Sequence, residues 1–319
     1  MINIVVVGSF VLGVTIRVPR MPALGEALIG DLFDMGPGGK GTNQAIAASR
    51  LGANVNLVAL LGDDIFADVA NRVYLAEGIR TEHIHREENI NTGVGLVTLL
   101  ESGGNCIVGH LGANLRMRPE HVDRAEEVIA KSDVVLTQFE VPLDAVARAM
   151  ELGRKHGAIT IWNPAPAKAV SADLLANVDV ITPNETEARI LVGLEPDDPI
   201  AIGELSNRIA GLGVKSSIIT MGQQGAMVIT GDQREVIPAP QVDALDPTGA
   251  GDAFNAALAI GLGEGLSLSK AVEQANYVGA YSVRHLGVVD GLPTKSQLDD
   301  FKSSNALPSQ KNSQTMNHS

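Results

Sequence analysis

Late in the chain, Asp246-Pro247-Thr248-Gly249-Ala250-Gly251-Asp252 sets a run of nearly side-chain-free residues directly before an apolar, helix-like segment. With so little bulk at Gly249, Ala250 and Gly251, backbone N–H groups can approach a ligand closely, and a helix starting there adds the positive end of its dipole. That suits an anion such as a phosphate. Asp252 falls in the first turn of the expected helix. A carboxylate beside an anion site is placed to take a proton from an attacking hydroxyl. Asp and Gly are also common at helix starts, so the stretch alone reads equally as a plain N-cap.

Two other stretches carry candidate chemistry. Gly36-Pro37-Gly38-Gly39-Lys40-Gly41 has the G-x-G-x-x-G spacing of a dinucleotide fingerprint, with Asp63 and Asp64 further on. It does not turn directly off the first strand, and Pro37 lacks a backbone donor, so that reading fails. A Walker A loop fails too, because Asp34 stands at its first glycine and Gly41 follows the lysine. What remains is a glycine turn delivering Lys40 and Asn43 near a helix start, able to bind a neutral polyol or a phosphate in transfer. In Thr182-Pro183-Asn184-Glu185-Thr186-Glu187, Asn184 and Glu187 share a face if a helix begins there. They could orient metal-bound water and phosphate oxygens, or form a capping box, or both. His83 and His85 alternate as in a solvated strand, with no third ligand at metal spacing.

The elements that must position these residues follow from periodicity. Residues 4–7 are a β-branched run for a strand buried on both faces of a parallel sheet, closed by Gly8-Ser9. Residues 10–35 break into strand-like pieces around Pro19, Pro22 and Gly25, too long for a βα loop, and predict part of a lid. A helix over 42–51, a strand over 54–60 and a helix over 65–77 begin a βα alternation. A hairpin pattern over 92–109, turning near Gly103-Gly104, should pair with the first excursion. Strands over 134–137, 160–162, 180–181 and 217–220 then alternate with helices over 143–156, 186–192 and 200–212. A hairpin of 226–229 and 235–237 belongs at the sheet edge, and helices over 251–262 and 267–283 close the fold. The prediction is an α/β fold: one domain over residues 1–302, a three-layer mostly parallel sheet with helices on both faces, plus a small β-sheet lid from about 10–35 and 92–110. Residues 303–319, rich in Ser, Asn and Gln, are expected to be a disordered tail.

Composition narrows the classes. The 319 residues include 45% hydrophobic side chains, 34 glycines and 3% aromatics, the profile of an aliphatic-cored α/β enzyme with glycine-rich loops. A formal charge of −13 opposes non-specific attraction to nucleic acid or anionic membranes. Cys106 is the sole cysteine, so no intrachain disulfide forms. The apolar start lacks a basic leader, is broken by Gly8 and Gly13, and no run approaches the roughly 18 apolar residues of a membrane helix. A cytoplasmic protein is expected.

Taken in order, further blocks join these stretches: Gly38-Gly39-Lys40-Gly41-Thr42-Asn43-Gln44-Ala45, Gly62-Asp63-Asp64, Gly112-Ala113-Asn114, Asn163-Pro164-Ala165-Pro166-Ala167 and Thr220-Met221-Gly222. With the Asn184–Glu187 and Gly249–Asp252 blocks, the more specific pair, this set resembles the ribokinase-like, phosphofructokinase-B type family of carbohydrate kinases over nearly the whole folded chain. The resemblance implies transfer of phosphate from ATP to a primary hydroxyl of a sugar or sugar-like alcohol. It implies Asp252 as base and the N–H groups of Gly249, Ala250 and Gly251 as an anion hole. Asn184 and Glu187 match positions that organise Mg²⁺ and the triphosphate, while Thr220, Gly222, Gly225, Gly251 and Asn276 match the nucleotide pocket. Sugar contacts would fall on Gly39, Lys40, Asn43 and Glu140. A monovalent cation, K⁺ among the possibilities, would sit on the loop carbonyls of Asp246 and Thr248, joined by the segment around His285 and Gly287. In relatives the lid often doubles as a homodimer interface.

One departure bears on the substrate. Relatives that phosphorylate ribose carry Asn and Asp in the acceptor site where this chain has Val11 and Gly13. Ribose therefore loses two polar partners, and a different sugar or polyol is expected. An apolar Phe10-Val11-Leu12 wall facing a base would make the chain a nucleoside kinase instead, and a catalytically silent ligand sensor on the same scaffold is the alternative outside enzymes.

Overall fold

The structure, a computed structural model, describes residues 1–102, 104–170 and 172–305. Its centre is β1 (Asn3–Val7), flanked in parallel by β4 (Asn54–Gly62) and β8 (Val134–Thr137), with Ile4 opposite Val55 on one side and Val134 on the other. Ile4, Val5, Val6 and Val7 are all fully buried. A strand apolar on both faces is stable only when both faces are covered, and here they are. Ile4 and Val6 join a core with Ile46, Phe254 and Leu258, whereas Val5 and Val7 join a second with Val146, Trp162 and Ile209.

The sheet completes itself with β5 (Ile84–Glu87), β9 (Ile159–Trp162), β10 (Val180–Ile181), β11 (Ser216–Thr220), β12 (Ala226–Thr230) and β13 (Gln233–Ile237). Nine strands run in the order β13-β12-β11-β10-β9-β8-β1-β4-β5. All pairs are parallel except the β11–β12–β13 end, the predicted edge hairpin. Helices Lys40–Arg50, Ala250–Gly263 and Leu268–Ser282 cover one face, and Leu143–Lys155, Glu185–Leu191 and Ile202–Ala210 the other. Helix Ala250–Gly263 is buried from Asp252 to Gly261, the environment its all-round apolar sequence requires.

A second sheet of four strands is the expected lid: β2 (Val11–Val18), β3 (Leu32–Gly38), β6 (Gly93–Leu100) and β7 (Asn105–His110), in the order β3-β2-β6-β7. The two excursions meet where β2 and β6 run parallel, Val11 opposite Gly93. Alternation along β2 divides its side chains. Phe10 and Leu12 are fully buried in the main core, Phe10 edge-on to Tyr74 at 6.0 Å between ring centroids. The Phe10-Val11-Leu12 wall therefore does not exist as one surface. Period-two geometry turns its two larger members inward.

Other differences concern short or polar elements. Helices Pro119–Asp123, Glu126–Ile129 and Ala172–Leu175 are too brief to show a period. Helix Lys295–Ser304 is polar apart from Leu298 and Phe301, but Thr294 caps it, and Phe301 packs edge-on to Tyr277 and Tyr281 at 6.3 and 5.5 Å. The boundary drawn at 303 is thus too early, since Ser303 and Ser304 finish this helix. Residues 306–319 of the expected tail lie outside the described residues. Strand β5 is a half-buried edge strand rather than a solvated one. Among the described residues no group of three metal-ligating side chains forms, and no helix is long and apolar enough to cross a membrane.

Candidate active site

The ends of β1, β8 and β9 meet the first turns of helices Lys40–Arg50 and Ala250–Gly263. Gly39, at φ +90°, starts the first helix, where a Cβ would sit 2.8 Å from Val11 N, so only glycine fits without displacement. The turn that follows is fastened by Glu140, whose Oε2 accepts from Ser9 Oγ at 2.5 Å and from Lys40 N at 2.7 Å. Asn43 Nδ2 donates to Asp252 Oδ2 at 2.8 Å. Gln44 Nε2 donates to Asp252 Oδ1 at 3.0 Å and to Asn163 Oδ1 at 3.1 Å. Asp252 is only 4% exposed. Burial pulls the Lys40 ammonium down, but Asp252, Glu140 and Glu187 together outweigh it and raise its pKa, so it stays charged.

Helix Ala250–Gly263 begins at Gly249, held at φ +81° with no side-chain cap. Ala250 N donates to Pro247 O at 3.2 Å, but the N–H groups of Gly251 and Asp252 find no protein partner among the described residues. Gly251 is exposed, with open space where its Cβ would be. Two helix-terminal donors therefore point out of the fold beside the carboxylate.

The loop before them is tied down by Asp246, whose Oδ1 accepts from Thr248 N at 2.9 Å and whose Oδ2 accepts from Gly287 N at 3.2 Å. Asp246, Thr248 and Gly287 are thus brought together. His285 instead stacks on Tyr281, 4.8 Å between centroids, with Nδ1 3.2 Å from Tyr281 O.

Next to the helix start lies a cleft of about 450 Å³, lined by Asn184, Thr220, Gly222, Gly225, Gly251 and Asn276 and walled by Ala239, Val242, Phe254, Ala280 and Val283. Asn184 pairs with Thr220, at the end of β11, through an isolated parallel bridge, with Thr220 N donating to Pro183 O at 2.9 Å. Asn184 and Glu187 form both halves of a capping box: Glu187 N donates to Asn184 Oδ1 at 2.8 Å, and Asn184 N to Glu187 Oε2 at 2.9 Å. The capping reading of that pair is therefore realised, while Glu187 also feels the charges of Lys40 and Asp252. Burial raises the Glu187 carboxyl above its ordinary value, against the bond from Asn184 and the attraction of Lys40. Asn276 donates from Nδ2 to Ile237 O at 2.9 Å and Pro238 O at 3.3 Å, fixing the cleft's rim rather than reaching into it.

Val11 and Gly13 share the lid face opposite Leu12. In register across the sheet, Gly13 lies between Gly36 and Gly95, and Gly95 opposite Gly109, so four glycines cross all four strands side by side. Along that row the face is bare backbone, with Val11 on one side of it and Thr15, Asp34, Val97 and Ile107 on the other. The opposite face carries Val14, Ile16, Phe33, Met35, Leu96 and Val108, most of them exposed.

Sequence reasoning missed the apolar wall of the cleft and, of the amides around Asp252, gave a role to Asn43 but not to Gln44. Asn276, Gly279, Ala280 and Val283 do fall at i, i+3, i+4 and i+7 of one helix, a legible stripe. Gln138 stands at a strand end where no local pattern marks it, and Asn163, though it opens the Asn163–Ala167 block, was given no role.

The sequence profile of the "pfkB family carbohydrate kinase" matches residues 1–295. The chain is 35% identical to the ribokinase of Haemophilus influenzae over 299 residues, 94% of this chain and 98% of that one. It is also 35% identical to the deoxyribokinase of Salmonella typhi over 304 residues, 95% and 99% of the two chains. The solved structure of Arabidopsis thaliana ribokinase, complexed with ribose and ATP, superposes with a TM-score of 0.86 at 27% identity, covering 94% of this chain and 99% of that one. With near-complete coverage from both directions, the chain belongs to the pfkB family carbohydrate kinases, phosphotransferases with an alcohol group as acceptor.

Proposed function

We propose that this chain transfers the γ-phosphate of ATP to a primary hydroxyl of a sugar or sugar-like alcohol, with Asp252 as the general base. One observation carries the reading. A buried carboxylate, clamped by Asn43 and Gln44, stands directly beside the unpartnered N–H groups that open the helix at Ala250. Phosphoryl transfer passes through a loose transition state, so catalysis is mostly positioning and charge neutralisation, which these donors and the charged Lys40 supply. A carboxylate is a weak base for an alcohol. It suffices when the proton leaves late, after the hydroxyl oxygen has begun to bond to phosphorus.

The cleft supports ATP as donor. Its volume lies in the usual range for a small-molecule site, with apolar walls suited to a flat base and helix-terminal N–H groups suited to phosphate. Mg²⁺ is generally held by one or two carboxylates plus substrate phosphates, so Glu187 and Asn184 fit it without a larger cluster. When bound, it would neutralise charge on the transferring phosphate. For K⁺, the carbonyls of Asp246 and Thr248 with the 285–287 segment are the candidate ligands, and Asp246 already laces those segments together. His285 would contribute backbone at most, since its ring is engaged with Tyr281. Gly39, Lys40, Asn43 and Glu140 would line the acceptor side, where Asn43 Oδ1 is buried without a protein partner and can accept from one hydroxyl.

For the acceptor, equal identity to a ribokinase and a deoxyribokinase favours neither sugar. Val11 and Gly13 argue for one whose lid-facing side presents hydrogen or carbon. A hydroxyl buried there unpaired costs on the order of 1–3 kcal/mol. We read the exposed apolar lid face as a homodimer contact, and the setting as cytoplasmic.

The test is ADP release over D-ribose, 2-deoxy-D-ribose, hexoses, ketoses and nucleosides, with Asp252→Asn alongside. Turnover of a sugar that collapses in the variant supports the reading. No ATP consumption with any acceptor, despite ligand binding, would favour the sensor. Ribose turning over with kcat/KM of order 10⁴ M⁻¹s⁻¹ or more, an ordinary enzyme value, would overturn its exclusion.

A further inference from the structure

Asp252 is held by more than its two direct contacts. Gln44 spends its whole amide: Nε2 serves Asp252 Oδ1 and Asn163 Oδ1, while Oε1 accepts from Gln138 Nε2 at 2.5 Å. Asn163 Nδ2 continues to Thr182 O at 3.2 Å, and Thr182 Oγ1 donates to Asn255 Oδ1 at 2.6 Å. Asn255 Nδ2 then returns to Gly251 O at 2.8 Å. The circuit leaves the helix at Asp252, crosses to the ends of β8, β9 and β10, re-enters one turn later at Asn255, and closes on Gly251, the residue before Asp252. Gln44, Gln138, Asn163 and Asn255 are all buried, so water cannot replace a lost partner at low cost.

We propose that Gln44, braced by Gln138, is a positioning residue: it fixes the rotation of the Asp252 carboxylate and couples it to the Gly251 turn, so that base and anion site keep one relative geometry. Asn43 holds one carboxylate oxygen and Gln44 the other. Either alone leaves the carboxylate free to turn about its last bond, whereas together they set its plane. Gln44 is fully buried with its amide engaged by protein partners, leaving it no group for acceptor or nucleotide, so its effect should appear in turnover and not in binding. Misplacement of a reacting group by about 1 Å is enough to cost on the order of a hundredfold.

This inference rests on Asp252 acting as base, and the test separates the two. With the best acceptor of the panel above, Gln44→Met keeps length and volume but removes every hydrogen bond of the amide. Its kcat should fall about ten- to a hundredfold with KM for ATP and acceptor within threefold, in protein shown to be folded by its melting curve. Gln138→Met, one step removed, should lose about three- to tenfold in kcat, since it leaves Gln44 less constrained. Gln44→Glu gives a signature that packing cannot. While a shared proton bridges it to Asp252 the geometry survives; once that proton is lost at higher pH, two carboxylates repel. Its kcat should therefore drop along an added alkaline limb absent from wild type and from Gln44→Met. Folded Gln44→Met with wild-type kcat, or a Gln44→Glu pH profile parallel to wild type, overturns the positioning role. If Asp252→Asn also turns over normally, the base assignment itself has failed; if Asp252→Asn is inactive, only the role of Gln44 has.

Discussion

Replacing Gly249 by alanine adds one methyl group at the start of helix Ala250–Gly263, and the structure sets its cost. The backbone there is at φ +81°, where an L residue costs about 1–2 kcal/mol relative to glycine. The new Cβ would also overlap Val288 Cγ1, an overpacking of the kind that costs roughly 1–3 kcal/mol. Together they make roughly 2–5 kcal/mol, a large share of a typical folding free energy. At about 2 °C per kcal/mol for a large domain, the melting temperature should fall by about 4–10 °C. Relief requires the turn to move, which takes the N–H groups of Gly251 and Asp252 with it. Loss of one such donor costs about a hundred- to a thousandfold in comparable sites, so kcat should fall at least about tenfold even in the folded fraction. The assay is a melting curve with steady-state ADP release, run on Gly249→Ala, Val288→Ala and the double variant. Trimming Val288 removes the overlap but leaves the dihedral cost, so the double variant should regain about half of the lost stability. A Gly249→Ala protein melting within about 1 °C of wild type would refute the reasoning, and complete rescue by Val288→Ala would refute its dihedral half.

Asp252→Asn should lower kcat by at least about a hundredfold while ATP affinity changes only a fewfold, as titrations of nucleotide binding would check. Val11→Asn with Gly13→Asp should raise kcat/KM for ribose about tenfold or more; Gly13 lies in β2 without positive φ, and a Cβ there meets only Gly36 O at 3.4 Å, so a folded variant that gains nothing would speak against the lid face as acceptor wall. For Glu187 the sign follows from its raised pKa: the folded chain holds that proton more tightly than the unfolded chain. Its stabilisation is complete below the ordinary value of 4.5 and lost as pH rises through the folded value. Glu187→Gln keeps the capping geometry, so it should lessen the fall in ligand-free melting temperature between pH 4.5 and 8 and raise the Mg²⁺ requirement of turnover; unchanged titrations of both kinds would leave only the cap. Truncation after Lys302 should lower the melting temperature, because it removes Ser303, Ser304 and the Asn305 cap from the helix that seats Phe301, and an unaltered melting curve would show that end to be dispensable.

The sheet was legible because its central strands are short β-branched runs between glycine turns, and such runs have few other uses. The lid was legible as two excursions that should pair, but the direction and register of that pairing were not: parallel contact between β2 and β6 joins residues far apart in sequence, and only tertiary structure fixes it. At the site, glycines and charged residues announced themselves, Gly39 and Gly249 by the conformations they alone permit. Gln44 stood in plain view beside Asn43 and still gave no signal, since its importance depends on Gln138 and Asn163, delivered by separate strands. Helix Lys295–Ser304 was lost in its polar composition, because two apolar residues one turn apart are enough to dock a helix yet too few to reveal a period.

The four glycines that cross the lid side by side have a cost of their own. Glycine inside a strand is roughly 0.5–1 kcal/mol less favourable than alanine, so the row gives up about 2–4 kcal/mol of stability in the smaller sheet. Emptiness and looseness are here the same property. On the proposed reading, a wall that would offer an acceptor room by having no side chains also has fewer contacts to hold it closed. Filling the row should close the acceptor space and stiffen the lid at once. At Gly36, where an added Cβ meets nothing within 4 Å, and at Gly109, where the nearest atom is 3.9 Å away, a single methyl would do so without disturbing a neighbour. Acceptor size and the rate of lid opening therefore cannot be tuned independently along this row, and a variant selected for a smaller sugar should also release its product more slowly.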